Sequence, residues 1–221
     1  MSYVPLLRGS LTELCAQPDI AFSVIKMSQY MANPTKEHIQ KVLHIVKYLG
    51  STPLLALSFT GGDSTLDCYC DSDWAGDLKS WHSTSCYSIF MGNDMVSWHS
   101  YWQPTVTLSS TEAKYMSMCD CAQQILWIKS LFCECHLTLN HFAMFSDNKG
   151  AIHLTQNPVM EGQSKHIDIK YYFLREHVED NSFVLDYMST DQQLADIMMK
   201  NLTWQKFQEN CSRLNLIEFK A

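Results

Sequence analysis

The chain has 221 residues, 46% of them apolar and 12% aromatic, which suits a globular protein with a sizeable core and excludes a disordered segment. Its formal net charge of −7 sets its overall field against polyanions, so nucleic-acid binding would need a local basic surface, a bound cation, or both. No apolar run approaches the roughly 20 residues that cross a membrane, and MSYVPLLRGSLTELC has no charged segment leading into an apolar core, so neither a span nor a secretory signal is expected.

The charge is uneven. Residues 1–60 carry five basic and three acidic residues, while the rest carries 11 basic and 20 acidic ones. The nine cysteines form three C-x-C pairs (Cys68/Cys70, Cys119/Cys121, Cys133/Cys135) with Cys15, Cys86 and Cys211 besides, and no C-x-x-C pair. This spacing suits free, buried thiols in a reducing compartment better than zinc or disulfides.

Residues 18–31 read as a helix, with Pro18 in its first turn and Asp19 near the positive end of its dipole. Asn33-Pro34 breaks it. A second helix is predicted from about Thr35 to Leu49, with Ile39, Val42, Leu43, Val46 and Leu49 on one stripe and Gly50 past the end. Gly61-Gly62 opens a region of different character. Leu66–Cys70, Ser85–Phe90 and Met95–Trp98 read as three strands, the last two joined by the turn Met91-Gly92-Asn93-Asp94.

A long helix follows from about Thr111 to Cys135, opened by Ser109-Ser110-Thr111-Glu112, which has the form of a capping box. Glu112, Met116, Cys119 and Gln123 share one face by spacing. His141–Phe145 reads as a strand ending at Asp147-Asn148, and Ala151–Gln156 as a short helix. Residues 165–180 have an amphipathic helical pattern, Phe183–Met188 a strand pattern, and Thr190–Lys200 and about 203–214 two further helices. Successive strands followed by alternating helices and strands predict an α/β layer with an antiparallel edge and a parallel half.

Four acidic residues stand at junctions of these elements: Asp71, Glu112, Asp147 and Asp196. Each has an ordinary explanation alone, as a turn former, a cap or an exposed helical residue. Together they would face the carboxyl ends of neighbouring strands, where sites form in open α/β sheets. Converging carboxylates repel one another unless a hard cation neutralises them. Asp73 and Asp77 flank the first, and Asp71 is preferred because it follows the strand directly.

The motifs GSLTELCAQPDIAF, YMANPTKEHIQKVLHIVKYL, DSDWAGD, HSTSCYSIFMG, VSW, QPTVTLSSTEAKY, SDNKGAIHL, KHIDIKYYFLREHVED and TDQQLADIMMK occur in this order. From about Leu6 onward the chain resembles the carboxy-terminal part of the Pol polyprotein of copia-type LTR retrotransposons. The first two motifs resemble the reverse-transcriptase tail and its connection, and the others the ribonuclease H domain.

The resemblance implies an α/β ribonuclease H-like fold, a five-stranded mixed sheet with helices on both faces, over residues 61–221. A short helical reverse-transcriptase remnant would precede it over residues 1–60. It implies hydrolysis of the RNA strand of an RNA–DNA hybrid, with Asp71, Glu112, Asp147 and Asp196 as catalytic residues and ligands of two Mg²⁺ ions, Mn²⁺ being an alternative. The ions would lie roughly 3.5–4 Å apart.

The hybrid is then the expected partner, and the remainder of a reverse transcriptase is a second candidate. The compartment would be cytoplasmic, nuclear or a virus-like particle. Asn148, Lys149, Lys165, His166, Lys170 and Arg175 supply candidate nucleic-acid contacts, although His166 and Asp168 also suit packing or capping. Trp74 and Trp98 are expected in the core. Against the family pattern, Gln17 replaces an arginine, Cys86 a glycine, and Tyr101-Trp102 basic residues. A lost glycine costs stability if the backbone there needs positive φ, and lost basic residues weaken phosphate contacts. The protease, integrase and polymerase palm segments have no counterpart here, so the chain reads as a piece of such a Pol or a frame derived from one. A copy whose fold persists after activity has decayed is the alternative.

Overall fold

A computed structural model of the chain describes residues 17–156 and 165–219, of which 165–168 are described by backbone alone. The motif GSLTELC and Cys15 lie outside the described residues, as do the side chains of Lys165, His166 and Asp168.

After a short 3₁₀ turn at Pro18–Ile20 come α1 (Ala21–Ser28) and α2 (Lys36–Ser51). Thr35 caps α2 by accepting from the His38 amide, and the His38 ring accepts from the Thr35 amide. A short strand β1 (Leu55–Leu57) precedes the meander β2 (Thr65–Ser72), β3 (Thr84–Met91) and β4 (Asp94–Trp102). Gly92 turns β3 into β4 at φ +59°, a conformation in which a side chain would be strained. The long helix α3 (Ser110–Glu134) follows, then β5 (His141–Ser146), α4 (Lys149–Gln156), α5 (Lys165–Glu179) and β6 (Val184–Tyr187). The chain then makes two 3₁₀ turns, Thr190–Gln192 and Leu194–Met198, before α6 (Trp204–Arg213) and β7 (Leu216–Glu218).

The main sheet has the order β4-β3-β2-β5-β6. Its β2, β3 and β4 are antiparallel, while β2, β5 and β6 run parallel. The expected five-stranded mixed sheet is therefore present. Alternation along β2 divides the core: Leu66, Cys68 and Cys70 pack with α3, α4 and α5 on one face. The opposite face packs Tyr69, Cys86, Phe90 and Met95 against Leu194, Ile197 and Met198, with Ala21 of α1 and Cys211 and Leu214 joining them. The eight described cysteines are free, and six are buried.

Three features depart from the sequence expectations. The span Thr190–Lys200 is not one helix, because Gln193 is extended (φ −66°, ψ 110°) and separates the two 3₁₀ turns. Its side chain is needed elsewhere, with Nε2 donating to the Cys70 carbonyl at 3.0 Å. Secondly, β1 pairs with β7 in a separate two-stranded sheet, joining the amino-terminal segment to the last strand. The junction is reinforced by the Asp94 carboxylate, which accepts from the amides of Thr60 (2.9 Å) and Gly61 (2.8 Å). Thirdly, Gln123 is exposed, whereas Glu112, Met116 and Cys119 of the same expected face are buried.

Candidate active site

β2 continues past Cys70 because its pairing with β3 extends to Ser72, so Asp71 lies within the strand and not beyond it. The parallel register of β2 and β5 runs to Tyr69 opposite Phe145. Continued by two residues, it sets Asp147 beside Asp71 at the carboxyl edge of the sheet, on the same face. Both carboxyl groups are withdrawn from water, at 2% and 3% side-chain exposure.

What joins them is a residue the sequence did not single out. Lys114 Nζ lies 2.8 Å from Asp71 Oδ1 and is also in contact with Asp147 Oδ1. The remaining groups are held by neutral donors. The Ser72 amide donates to Asp71 Oδ1 at 2.7 Å, and the Thr190 hydroxyl to Asp147 Oδ2 at 2.7 Å. Desolvation pushes the Asp71 carboxyl up to about 6, against the pull of Lys114, and the neighbouring Asp147 adds to the rise. Burial opposes the charge on Lys114, but the two carboxylates outweigh it and raise its pKa.

The start of α3 is fixed against the sheet by two side chains. Gln103 Nε2 donates to Ser85 Oγ (2.6 Å) and to the Ala113 carbonyl (2.9 Å). The Ser117 hydroxyl bonds the carbonyls of Asp71 (2.8 Å) and Cys86 (3.0 Å). This places Glu112 at the same end of the sheet, buried. The expected capping box is half formed: Ser109 Oγ accepts from the Glu112 amide at 3.1 Å. The Glu112 carboxylate instead accepts from the Leu108 amide at 2.7 Å. Asp196, in the Leu194–Met198 turn, is buried and paired with Lys200 Nζ at 2.7 Å.

Thus Asp71 and Asp147 meet, while Glu112 and Asp196 face other partners. Among the described residues, no three acidic, histidine or cysteine side chains are arranged to hold one metal ion. The donor chemistry of the pair nonetheless fits a hard cation, since two buried carboxylate oxygens already converge on one positive charge.

Cys86 links the two sides of the site. Opposite Asp71 in the sheet, its thiol donates to the carbonyls of Asp71 (3.5 Å) and Ala195 (3.3 Å). Its backbone is not in the positive-φ region, so cysteine here brings no backbone strain. Asp73 and Asp77 serve the loop after β2: Asp73 accepts from the Thr84 amide and Asp77 from the Ser80 hydroxyl and the Lys79 amide.

The candidate nucleic-acid contacts are mostly engaged within the protein. Asn148 Oδ1 caps α4 by accepting from the Ala151 amide at 2.8 Å. Lys149 lies 4.6 Å from the centre of the Tyr187 ring, and Lys170 pairs with Asp120 at 2.9 Å. Arg175 reaches the Leu154 carbonyl at 3.5 Å. Tyr101 donates its hydroxyl to Asp120, so the Tyr101-Trp102 segment contributes to the fold. Trp98 packs in the second core, but Trp74, expected to be buried, is 54% exposed.

A five-stranded sheet of three antiparallel and two further parallel strands, in this order and with these helices, is a ribonuclease H-like fold. Among solved structures, a foamy viral protease–reverse transcriptase in complex with an RNA/DNA hybrid aligns over 90% of this chain and 26% of its own, with TM-score 0.52 and 14% identity. LC11 ribonuclease H1, also in complex with a hybrid, aligns over 61% of this chain and 94% of its own, with TM-score 0.46 and 9% identity.

In sequence, the chain is 37% identical over 211 residues to the retrovirus-related Pol polyprotein from transposon RE1 of Arabidopsis thaliana, covering 94% of this chain. It is 35% identical over 201 residues to that from transposon TNT 1-94 of Nicotiana tabacum, covering 91%. About half the chain, 113 residues, is 41% identical to the secreted RxLR effector protein 161 of Plasmopara viticola, covering 80% of that protein. No family model matches. The chain is thus similar along nearly its whole length to a part of the Pol polyproteins of copia-type retrotransposons, and it spans 14% and 15% of the lengths of the two Pol relatives.

Proposed function

We propose that the chain is a ribonuclease H that hydrolyses the RNA strand of RNA–DNA hybrids with two divalent cations, Mg²⁺ or Mn²⁺. The observation that supports this most is the pair Asp71 and Asp147. Asp71 stands on β2 and Asp147 directly after the parallel neighbour β5, their carboxyl groups withdrawn from water and one oxygen of each already turned to a shared positive charge. In this reading the pair would hold the first cation, and Glu112 and Asp196, now bonded to the Leu108 amide and Lys200, would supply ligands for the second.

Bound cations would supply the charge that polarises the scissile phosphate and the attacking water. The protein's own work is positioning. Gln103 and Ser117 fix the start of α3, Gln193 fixes the turn that carries Asp196, and Thr190 orients the Asp147 carboxylate. Selection of the RNA strand would come from contacts to its 2′-hydroxyls.

A second reading is a fold that persists without cleavage. Lys114 between the two carboxylates favours it, because its ammonium fills the space that a cation held by both would need. Labelled hybrid, incubated with purified folded protein and Mg²⁺, separates the two. The ribonuclease reading predicts cleavage of the RNA strand only, reduced at least about 100-fold in Asp71→Asn and Asp147→Asn, since each substitution removes a ligand of the first cation. A folded protein that leaves the hybrid intact would overturn that reading, and cleavage surviving both substitutions would overturn the site assignment.

A further inference from the structure

We propose that Lys114 is a built-in counter-ion that competes with the divalent cation for the Asp71–Asp147 pair, so that the metal binds only as the ammonium leaves. The inference rests on the ribonuclease reading of that pair and concerns what governs its loading.

The geometry makes the two occupants mutually exclusive. Nζ sits against Asp71 Oδ1 at 2.8 Å and contacts Asp147 Oδ1. A hard cation bridging the same two oxygens stands about 2.1 Å from each, within the space the ammonium fills. The charges do not balance with lysine in place: two carboxylates face one positive charge, and a divalent cation would neutralise both.

Displacement is mechanically open. The Lys114 side chain is 17% exposed and projects from the second turn of α3, whose start Gln103 and Ser117 hold without its help. Its long stem can carry the ammonium towards solvent while the carboxylates stay where Ser72 and Thr190 hold them. The lysine thus serves the metal-free protein, in which two adjacent buried carboxylates would otherwise repel each other.

The test compares wild type, Lys114→Met and Lys114→Arg by calorimetric titration with Mn²⁺ and by melting in EDTA and in Mn²⁺. The methionine keeps the stem and removes the charge. Its Mn²⁺ affinity should rise at least about tenfold, the factor that about 1.4 kcal/mol represents. Its melting temperature should fall in EDTA and recover with Mn²⁺ by more than the wild-type gain. The arginine should keep the weak wild-type affinity.

Should Lys114→Met not fold without metal, wild type with ¹³C-dimethylated lysines supplies the readout. The Lys114 resonance, assigned by its loss in Lys114→Arg, should shift with the same half-saturation as Mg²⁺ binding. Equal Mn²⁺ affinity in wild type and Lys114→Met, or a Lys114 resonance unmoved by bound Mg²⁺, would overturn the proposal. Hybrid cleavage by that same wild type would show that the ribonuclease reading survives its failure. Absence of both metal binding and cleavage in every variant would remove the two together.

Discussion

Asp71 gives the fold a pH dependence opposite to that of most salt-bridged carboxylates. Burial moves its carboxyl from 3.8 to about 6 in the metal-free protein, even with Lys114 beside it. The native state therefore holds this proton over a range in which the unfolded chain has released it. The associated stability is complete below about 3.8 and is lost as the pH rises through about 6. Each pH unit of that window carries about 1.4 kcal/mol, and the whole window about 3 kcal/mol.

Asp71→Asn removes the titrating group while keeping its size. The difference in unfolding free energy, variant minus wild type, should thus rise by about 3 kcal/mol as the pH goes from below the window to above it. Urea denaturation of both proteins in EDTA, from pH 4 to 7.5, captures most of this change, and taking the difference cancels the titrating groups that do not face Asp71. A difference flat to within about 0.5 kcal/mol, or one falling with pH, would refute the reasoning, because either means that Asp71 is not held desolvated beside Asp147.

Other expectations follow from single contacts. Cys86→Gly should destabilise the protein by about 2 kcal/mol in chemical denaturation, through lost packing between β2 and the Leu194–Met198 turn and a more flexible strand. Tyr101→Phe leaves Asp120 with Lys170 as its remaining partner and should cost about 1.5 kcal/mol, the low end for a hydrogen bond to a charged group. Removing residues 214–221 deletes the buried Leu214 and Leu216 and unpairs β1, and should lower stability by at least about 3 kcal/mol. The limited proteolysis of that truncated chain should begin within residues 17–57.

The strands and long helices were legible because their signals are local. The turn at Gly92-Asn93 and the Ser109 cap lie in the residues that form them, whereas α2 buries Val42 and Ile45 and leaves Leu43 and Val46 of its expected stripe exposed. The span from Thr190 to Lys200 was misread because its conformation is decided at a distance: Gln193 gives up helical geometry to bond Cys70, and Leu194, Ile197 and Met198 follow it onto the sheet. The β1–β7 pair carries no usable pattern, since three residues per strand show no periodicity.

At the site, the junction positions of Asp71 and Asp147 could be read from the strands before them. The orientations of Glu112 and Asp196 could not, because a capping box and an exposed helix predict neither the bond to Leu108 nor that to Lys200. Lys114 escaped notice because it lies two residues from Glu112, on a different side of a helix read mainly for its apolar face. Its signal is positional: a lysine in the second turn of a helix whose start abuts the carboxyl edge of β2 and β5.

The most direct test of the Asp71–Asp147 pair as a cation site is anomalous diffraction from crystals equilibrated with Mn²⁺. The account predicts a peak between the two carboxylates, within about 2.3 Å of an oxygen from each, with Lys114 withdrawn from both. A site without Mn²⁺ at concentrations that support hybrid cleavage, with Lys114 still bridging Asp71 and Asp147, would contradict it.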